Sequence, residues 1–118
     1  MKRAVTQQSN SQRIDRVMPY ILAHLQDDLD LQQLAEIACL SPFHFHRLYH
    51  AVAGETVAAT LARLRLHGAA IALVKTERPL TSISRRAGYG SISAFSRAFR
   101  KSYGAAPTFS RQSAQHRR

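Results

Sequence analysis

The sequence of 118 residues has no tryptophan, one cysteine and no acidic residue after Glu77. Each shortage closes off a class of protein. The lone Cys39 rules out an internal disulfide and suits a reducing cytoplasm. No apolar run approaches the roughly 20 residues of a membrane span, and no early apolar stretch resembles a secretion signal, so a soluble intracellular protein is expected. Acids are few, no paired carboxylates share a foreseeable cleft, and neither a glycine-rich phosphate loop nor a Ser/His/Asp arrangement is present. That pattern points away from an enzyme and calls for no cofactor. With 45% hydrophobic residues, there is chain enough for one compact domain or two small ones sharing a core.

Charge is plentiful but of one sign. The formal net charge is +10, from 17 Lys plus Arg against 7 Asp plus Glu. All seven acids lie at or before Glu77, together with eight bases; from Arg78 onward there are nine bases and no acid. A surface so one-sided attracts polyanions, of which duplex DNA is the densest in a cytoplasm. Arg111, Arg117 and Arg118 are discounted here as parts of a loose tail, which adds charge without shape.

Residues 1–10 (MKRAVTQQSN) are polar and unpatterned and read as a flexible arm, basic or merely frayed. Residues 11–54 make a first unit. Ile14, Val17, Met18, Ile21, Leu22 and Leu25 form a helical stripe interrupted by Pro19, which predicts a kink or a late start. Asp27, Asp28 and Asp30 suit a turn capping the next helix, a short one over 31–38 with Leu31, Leu34, Ala35 and Ala38 inward. Cys39, Leu40 and Ser41 turn the chain, with Ser41 as N-cap and Pro42 at the first helical position. The following helix, 42–53, is expected to bury Phe45, Leu48, Tyr49 and Val52 before Gly54 ends it. Residues 55–77 read as a linker helix whose inner face is Val57, Leu61, Leu64, Ala69, Ala72 and Leu73; Gly68 weakens its middle by about 1 kcal/mol relative to Ala. Residues 78–113 make a second unit, opening with Leu80, Ile83 and Ala87 inward and closing on a short helix over 107–113. Residues 114–118 read as a flexible tail.

The most informative stretch is GYGSISAFSRAFRKSYGAAP, from Gly88 to Pro107. On a helix, Phe95, Ala98, Phe99 and Tyr103 gather on one apolar stripe, opposite Ser93, Arg97 and Arg100. A solvated amphipathic surface helix would look the same, but the segment has a counterpart upstream. Fifty positions earlier, Phe45, Arg47, Tyr49 and Gly54 match Phe95, Arg97, Phe99 and Gly104, and at an offset of forty-nine, Leu31, Leu34 and Ala38 match Leu80, Ile83 and Ala87. The difference of one residue predicts a longer turn in the second copy. The chain therefore reads as a tandem repeat of short helix, tight turn and longer helix, with an arginine outward in both copies. In the first copy Phe43, His46, Arg47 and His50 share the outer face, in the manner of a helix-turn-helix that reads DNA.

His44, His46 and His50 lie on one helix, and His46 with His50 at i, i+4 is a pair that zinc could use. No third ligand of suitable spacing follows, and Cys39 lies back across the turn, so no metal is expected. Contact with bases or phosphates is the preferred role for the histidines.

From Ile14 to Arg111 the chain resembles the DNA-binding domain of the AraC/XylS family of bacterial transcription regulators. The resemblance is most specific through Ala87, Gly88, Tyr89, Phe95, Ser96, Arg97, Phe99, Arg100, Tyr103, Gly104 and Pro107. It implies an all-α fold of about seven helices, with two helix-turn-helix units joined by a long linker helix. One monomer would then place both reading helices in successive major-groove segments of double-stranded DNA. By position, the resemblance assigns base reading to Phe43, His46 and Arg47 in the first unit and to Ile92, Ser93, Ser96 and Arg97 in the second. Ile92 stands where related proteins often carry a polar residue, which shifts weight in the second unit toward phosphates held by Arg97, Arg100 and Lys101. The implied setting is the cytoplasm, on the nucleoid, with RNA polymerase as a further partner. A ligand-sensing domain often accompanies this one in the family, so the chain is either a stand-alone activator or the DNA-binding fragment of a longer regulator. A sequence-tolerant basic nucleic-acid-binding protein is the competing reading.

Overall fold

The computed structural model describes residues 2–116, and these form seven helices and no strand: α1 Lys2–Ala23, α2 Leu31–Ile37, α3 Pro42–Ala53, α4 Val57–Lys75, α5 Leu80–Arg86, α6 Ile92–Tyr103 and α7 Pro107–His116. They divide into two compact units, with the boundary between Leu61 and Ala62 inside α4.

In the first unit α1, α2 and α3 pack on one another. Ile14, Val17 and Ile21 of α1, Leu34 and Ala35 of α2, and Phe45 and Tyr49 of α3 are all buried. Asp30 caps α2 by accepting from the Gln32 N–H at 3.0 Å. A buried polar relay closes the unit. The Thr60 hydroxyl donates to the Glu55 carboxylate at 2.5 Å, which leaves its oxygen to accept from the Tyr49 hydroxyl at 2.7 Å. A carboxylate only accepts, so the protons run in one direction, Tyr49 to Thr60 to Glu55.

Two expectations for α1 are corrected. Residues 2–10 of the expected arm are helical, continuous with the amphipathic stripe, while Met1 lies outside the described residues. Pro19 neither ends nor delays the helix; it is exposed, and the helix runs on to Ala23. Leu22 is 56% exposed, one position off the stripe of Val17 and Ile21, and Val52 is 44% exposed in the last turn of α3, where expected burial fails. Leu31 also sits at the margin of its unit rather than inside it.

The second unit is built on Leu66, Ala69, Leu73, Ile83, Ala87, Phe95 and Phe99, with Leu80, Tyr89 and Ala98 packed against them. The aromatic side chains pack in series at tilted angles: Tyr89 on Phe95, Phe95 on Phe99, and Phe99 on Tyr103 at 4.6 Å between centroids. Tyr103 is nonetheless 44% exposed, so it covers the core rather than filling it. Arg111, discounted above as tail, is half-buried in α7 and donates to the Leu73 carbonyl at 3.0 Å and the Thr76 carbonyl at 3.2 Å. A guanidinium placed on the last carbonyls of α4 satisfies acceptors that the helix leaves open and meets the negative end of its dipole. Residues 114–116 of the expected tail continue α7, and Arg117 and Arg118 lie outside the described residues.

The linker helix departs from its expected single inner face. Val57 and Thr60 are buried in the first unit, Leu66, Ala69 and Leu73 in the second, and these two sets do not fall on one stripe. By length and composition α4 is apolar enough to cross a membrane, with mean hydropathy 1.4, against the sequence-based expectation that no stretch is. Its apolar side chains instead supply core to both units, and it carries Arg63 and Arg65 midway.

Candidate nucleic-acid interface

Both units turn between their short and long helices by the same backbone device. After α2, the Cys39 N–H binds the Glu36 carbonyl and the Leu40 N–H binds the Ala35 carbonyl, at 3.0 and 2.9 Å. After α5, Gly88 binds Arg85 and Tyr89 binds Ser84, at 3.0 and 3.1 Å. This paired closure is the Schellman motif, which requires a left-handed residue: Cys39 has φ 61° and Gly88 φ 92°. The second turn contains one residue more, Gly90, before its N-cap, as the shifted repeat predicts. Ser41 and Ser91 then start α3 and α6 by accepting from the N–H of His44 and Ala94. Gly54 and Gly104, both at φ 78°, end them. Each reading helix is thus fixed at both ends as well as by its buried aromatic pair.

The outer faces are set by this frame. Neither α3 nor α6 contains an acidic residue. On α6, Ile92, Ser93, Ser96, Arg97 and Arg100 border one open groove; Ser96 is half-buried, Ile92 37% exposed, and the others exposed. Lys101 is exposed but does not border that groove. The other residues expected to contact DNA in this unit are thus brought together, and the apolar Ile92 belongs to the groove as much as the hydroxyls do.

The first unit splits its expected set. Phe43 and Arg47 border one open groove with His44, Leu48 and Ala51, and the Arg47 guanidinium lies 5.8 Å from the Phe43 ring centroid. At 73% exposure Phe43 is held outward, and the stack steadies the guanidinium in front of it. His46 is exposed on the opposite flank, bordering a separate apolar pocket with Leu29, Leu31, Leu34, Thr56, Val57, Ala58 and Leu61. His50 is exposed in the last turn of α3. Sequence reasoning missed Ala51 as a groove residue and expected Leu48 to be buried, whereas Leu48 is half-buried at this groove; the i, i+4 spacing of Ala51 from Arg47 was the available signal. Among the described residues no cluster of three or more His, Cys, Asp or Glu could hold a metal ion.

A family model described as a helix-turn-helix domain matches residues 34–113, well over half of the chain. The chain belongs to the AraC-type helix-turn-helix DNA-binding domains. The regulatory protein PocR of Salmonella typhimurium is 33% identical over 100 residues, covering 85% of this chain and 33% of that protein. This AraC-type chain spans about a third of the length of such curated relatives, 36% and 33% for two of them. Among solved structures, a transcriptional regulator from Chromobacterium violaceum with an AraC-type DNA-binding domain shares the fold, with TM-score 0.79 at 20% identity over 87% of this chain and 92% of that one. The DNA-binding domain of AdpA, a global transcriptional factor solved in complex with a target DNA, gives TM-score 0.77 at 26% identity over 89% and 95% of the two chains. The all-α fold of seven helices and the two helix-turn-helix motifs are those of this family, whose domains bind DNA in transcription regulation and carry no catalytic activity.

Proposed function

We propose that this AraC-type domain binds duplex DNA with sequence preference by setting α3 and α6 into the major groove, each reading its own short block of bases. In the first unit Phe43, His46 and Arg47 meet base edges and His50 meets phosphate. In the second, Ile92, Ser93, Ser96 and Arg97 line the bases while Arg100 and Lys101 hold the backbone. The supporting observation is the internal repeat: two identically capped helices put Arg47 and Arg97 at the same position on exposed faces free of carboxylates. An arginine so placed has the two-pronged geometry that reads guanine, and Phe43 or Ile92 beside it offers apolar contact for a thymine methyl. The regulator would sit on the nucleoid and meet RNA polymerase at promoters, alone or joined to a ligand-sensing domain in a longer chain.

Selection of bound duplexes from random DNA at near-physiological salt tests this. Enrichment of two short blocks supports the reading, and their relative strength ranks the units. Binding without enrichment overturns it in favour of a sequence-tolerant basic clamp.

A further inference from the structure

The two reading helices carry different kinds of cation. On α3 the one permanent charge is Arg47, and its other exposed basic side chains are His44, His46 and His50; α6 carries Arg97, Arg100 and Lys101. His50 is the repeat counterpart of Arg100. Both are exposed, both lie in the last helical turn, and both supply the carbonyl that the capping glycine binds, at 3.0 Å for Gly54 on His50 and 2.8 Å for Gly104 on Arg100. The negative end of each helix dipole favours a cation there. His46 precedes His50 by one turn on the same flank, as Ser96 precedes Arg100.

We infer that the first unit binds DNA with uptake of protons at His46 and His50, so that its hold on the duplex depends on pH while that of the second unit does not. This rests on the proposed contact of α3 with DNA. An imidazole ordinarily titrates near pH 6.5, so close to neutrality it gains or loses its charge for little free energy. A phosphate against His50, or the acceptor edge of a guanine against His46, favours the protonated form. The sign follows by linkage: the bound state holds the proton more tightly, so the added affinity is full at low pH and is lost as pH rises through the bound-state titration.

The surroundings do not supply a competing partner. The helices packed on α3 are α1 and α2, whose charged residues between Ser11 and Ile37 are Arg13, Asp15, Arg16 and Glu36, and the start of α4, joined to it through Tyr49 and Thr60, which has no charged residue from Val57 to Leu61. None of these borders either groove of α3, and no carboxylate lines the pocket beside His46 or the groove beside His44. Asp30 and Glu55 lie on the segments flanking that pocket; Asp30 caps α2 and Glu55 accepts from Thr60. The remaining imidazole of this unit, His24, stacks on Tyr20 and bonds its carbonyl at 3.0 Å.

The test measures affinity for a selected duplex between about pH 6 and pH 8.5 at constant ionic strength, with proton uptake taken from calorimetry in two buffers of different ionisation heat. A rise of one unit in one histidine on binding gives up to about a tenfold loss of affinity across that range, and two histidines up to about a hundredfold. Net proton uptake should accompany binding. His50→Arg, which restores the repeat's own residue, should raise affinity at high pH and remove about half the pH slope; adding His46→Gln should flatten it. A flat profile for the unaltered chain, or an unchanged slope in both variants, overturns the inference while leaving DNA recognition standing. No selective binding at any pH overturns the recognition reading and this inference with it.

Discussion

Gly88→Ala should destabilise the second unit, and Cys39→Gly should stabilise the first, because the two residues occupy one position of a repeated turn. Both hold left-handed backbone, φ 92° and φ 61°, at the residue whose N–H closes the Schellman motif. A Cβ in that conformation costs roughly 1–2 kcal/mol. Gly88 has room for a methyl group: the nearest atoms to an added Cβ are Nη1 and Cδ of Arg65 at 3.5 and 3.7 Å, ordinary contact distances. The penalty for Gly88→Ala is therefore the backbone term of about 1–2 kcal/mol less about 0.5–1 kcal/mol of unfolded-state entropy recovered when a glycine is lost, a net cost of about 0.5–1 kcal/mol. At Cys39 the same term is already present in the native protein. Replacing it with glycine relieves about 1–2 kcal/mol of strain but adds about 0.5–1 kcal/mol of unfolded-state entropy, for a net gain of about 0.5–1 kcal/mol. Urea unfolding followed by circular dichroism reads both, and each kcal/mol should move Tm by about 3–5 °C in a chain of this size. A neutral Gly88→Ala, or a Cys39→Gly that loses stability, would refute the shared-turn reasoning.

Tyr49→Phe should cost about 1 kcal/mol in urea unfolding, since it removes the donor to buried Thr60 while leaving the Thr60 bond to Glu55 intact. Arg111→Ala should cost about 1–2 kcal/mol, discounted for half-burial, because the Leu73 and Thr76 carbonyls lose a charged donor; Arg111→Lys should recover only part of it. Arg47→Ala should weaken binding to a selected site by about 1–3 kcal/mol and relax selectivity, whereas Lys101→Ala should weaken all duplexes alike and reduce the salt slope by about 1. Equal losses on selected and random DNA for Arg47→Ala, measured by fluorescence anisotropy, would remove its base-reading role.

The parts of the fold that could be read from sequence were those written in spacing. Phe45 and Tyr49, and Phe95 and Phe99, stand at i, i+4, and all four are buried. Ser41, Gly54 and Gly104 announce helix ends through chemistry that is local, and the one-residue excess of the second turn is visible from the offset between copies. The failures are non-local. Nothing in the neighbourhood of Arg111 signals that its partners are carbonyls 38 and 35 residues earlier. α4 is apolar nearly all round, so periodicity could not choose which residues serve which unit, and Leu66 was missed as core while Leu61 and Leu64 are only half-buried. Residues 2–10 are polar, and polarity alone does not distinguish a solvated helix from a coil.

The two copies keep the turn and vary what surrounds it, which separates framework from function. Where the first unit has Tyr49, Thr60 and Glu55 joined in a polar relay, the second has Phe99, Ser110 and Ala105 at the same offsets. Phe99 is buried with no hydroxyl to satisfy, and the ring of Tyr103 packs against it from the outside. The first unit thus fixes its reading helix with directional bonds and the second with packed aromatic surface. Outward, the difference reverses: α3 presents an aromatic ring, a stacked guanidinium and imidazoles, groups suited to discriminating bases, while α6 presents hydroxyls and permanent cations suited to gripping a backbone. With both helices reading bases as proposed, changes in α3 should cost mainly specificity, while loss of Arg100 or Lys101 in α6 should cost mainly salt-dependent affinity.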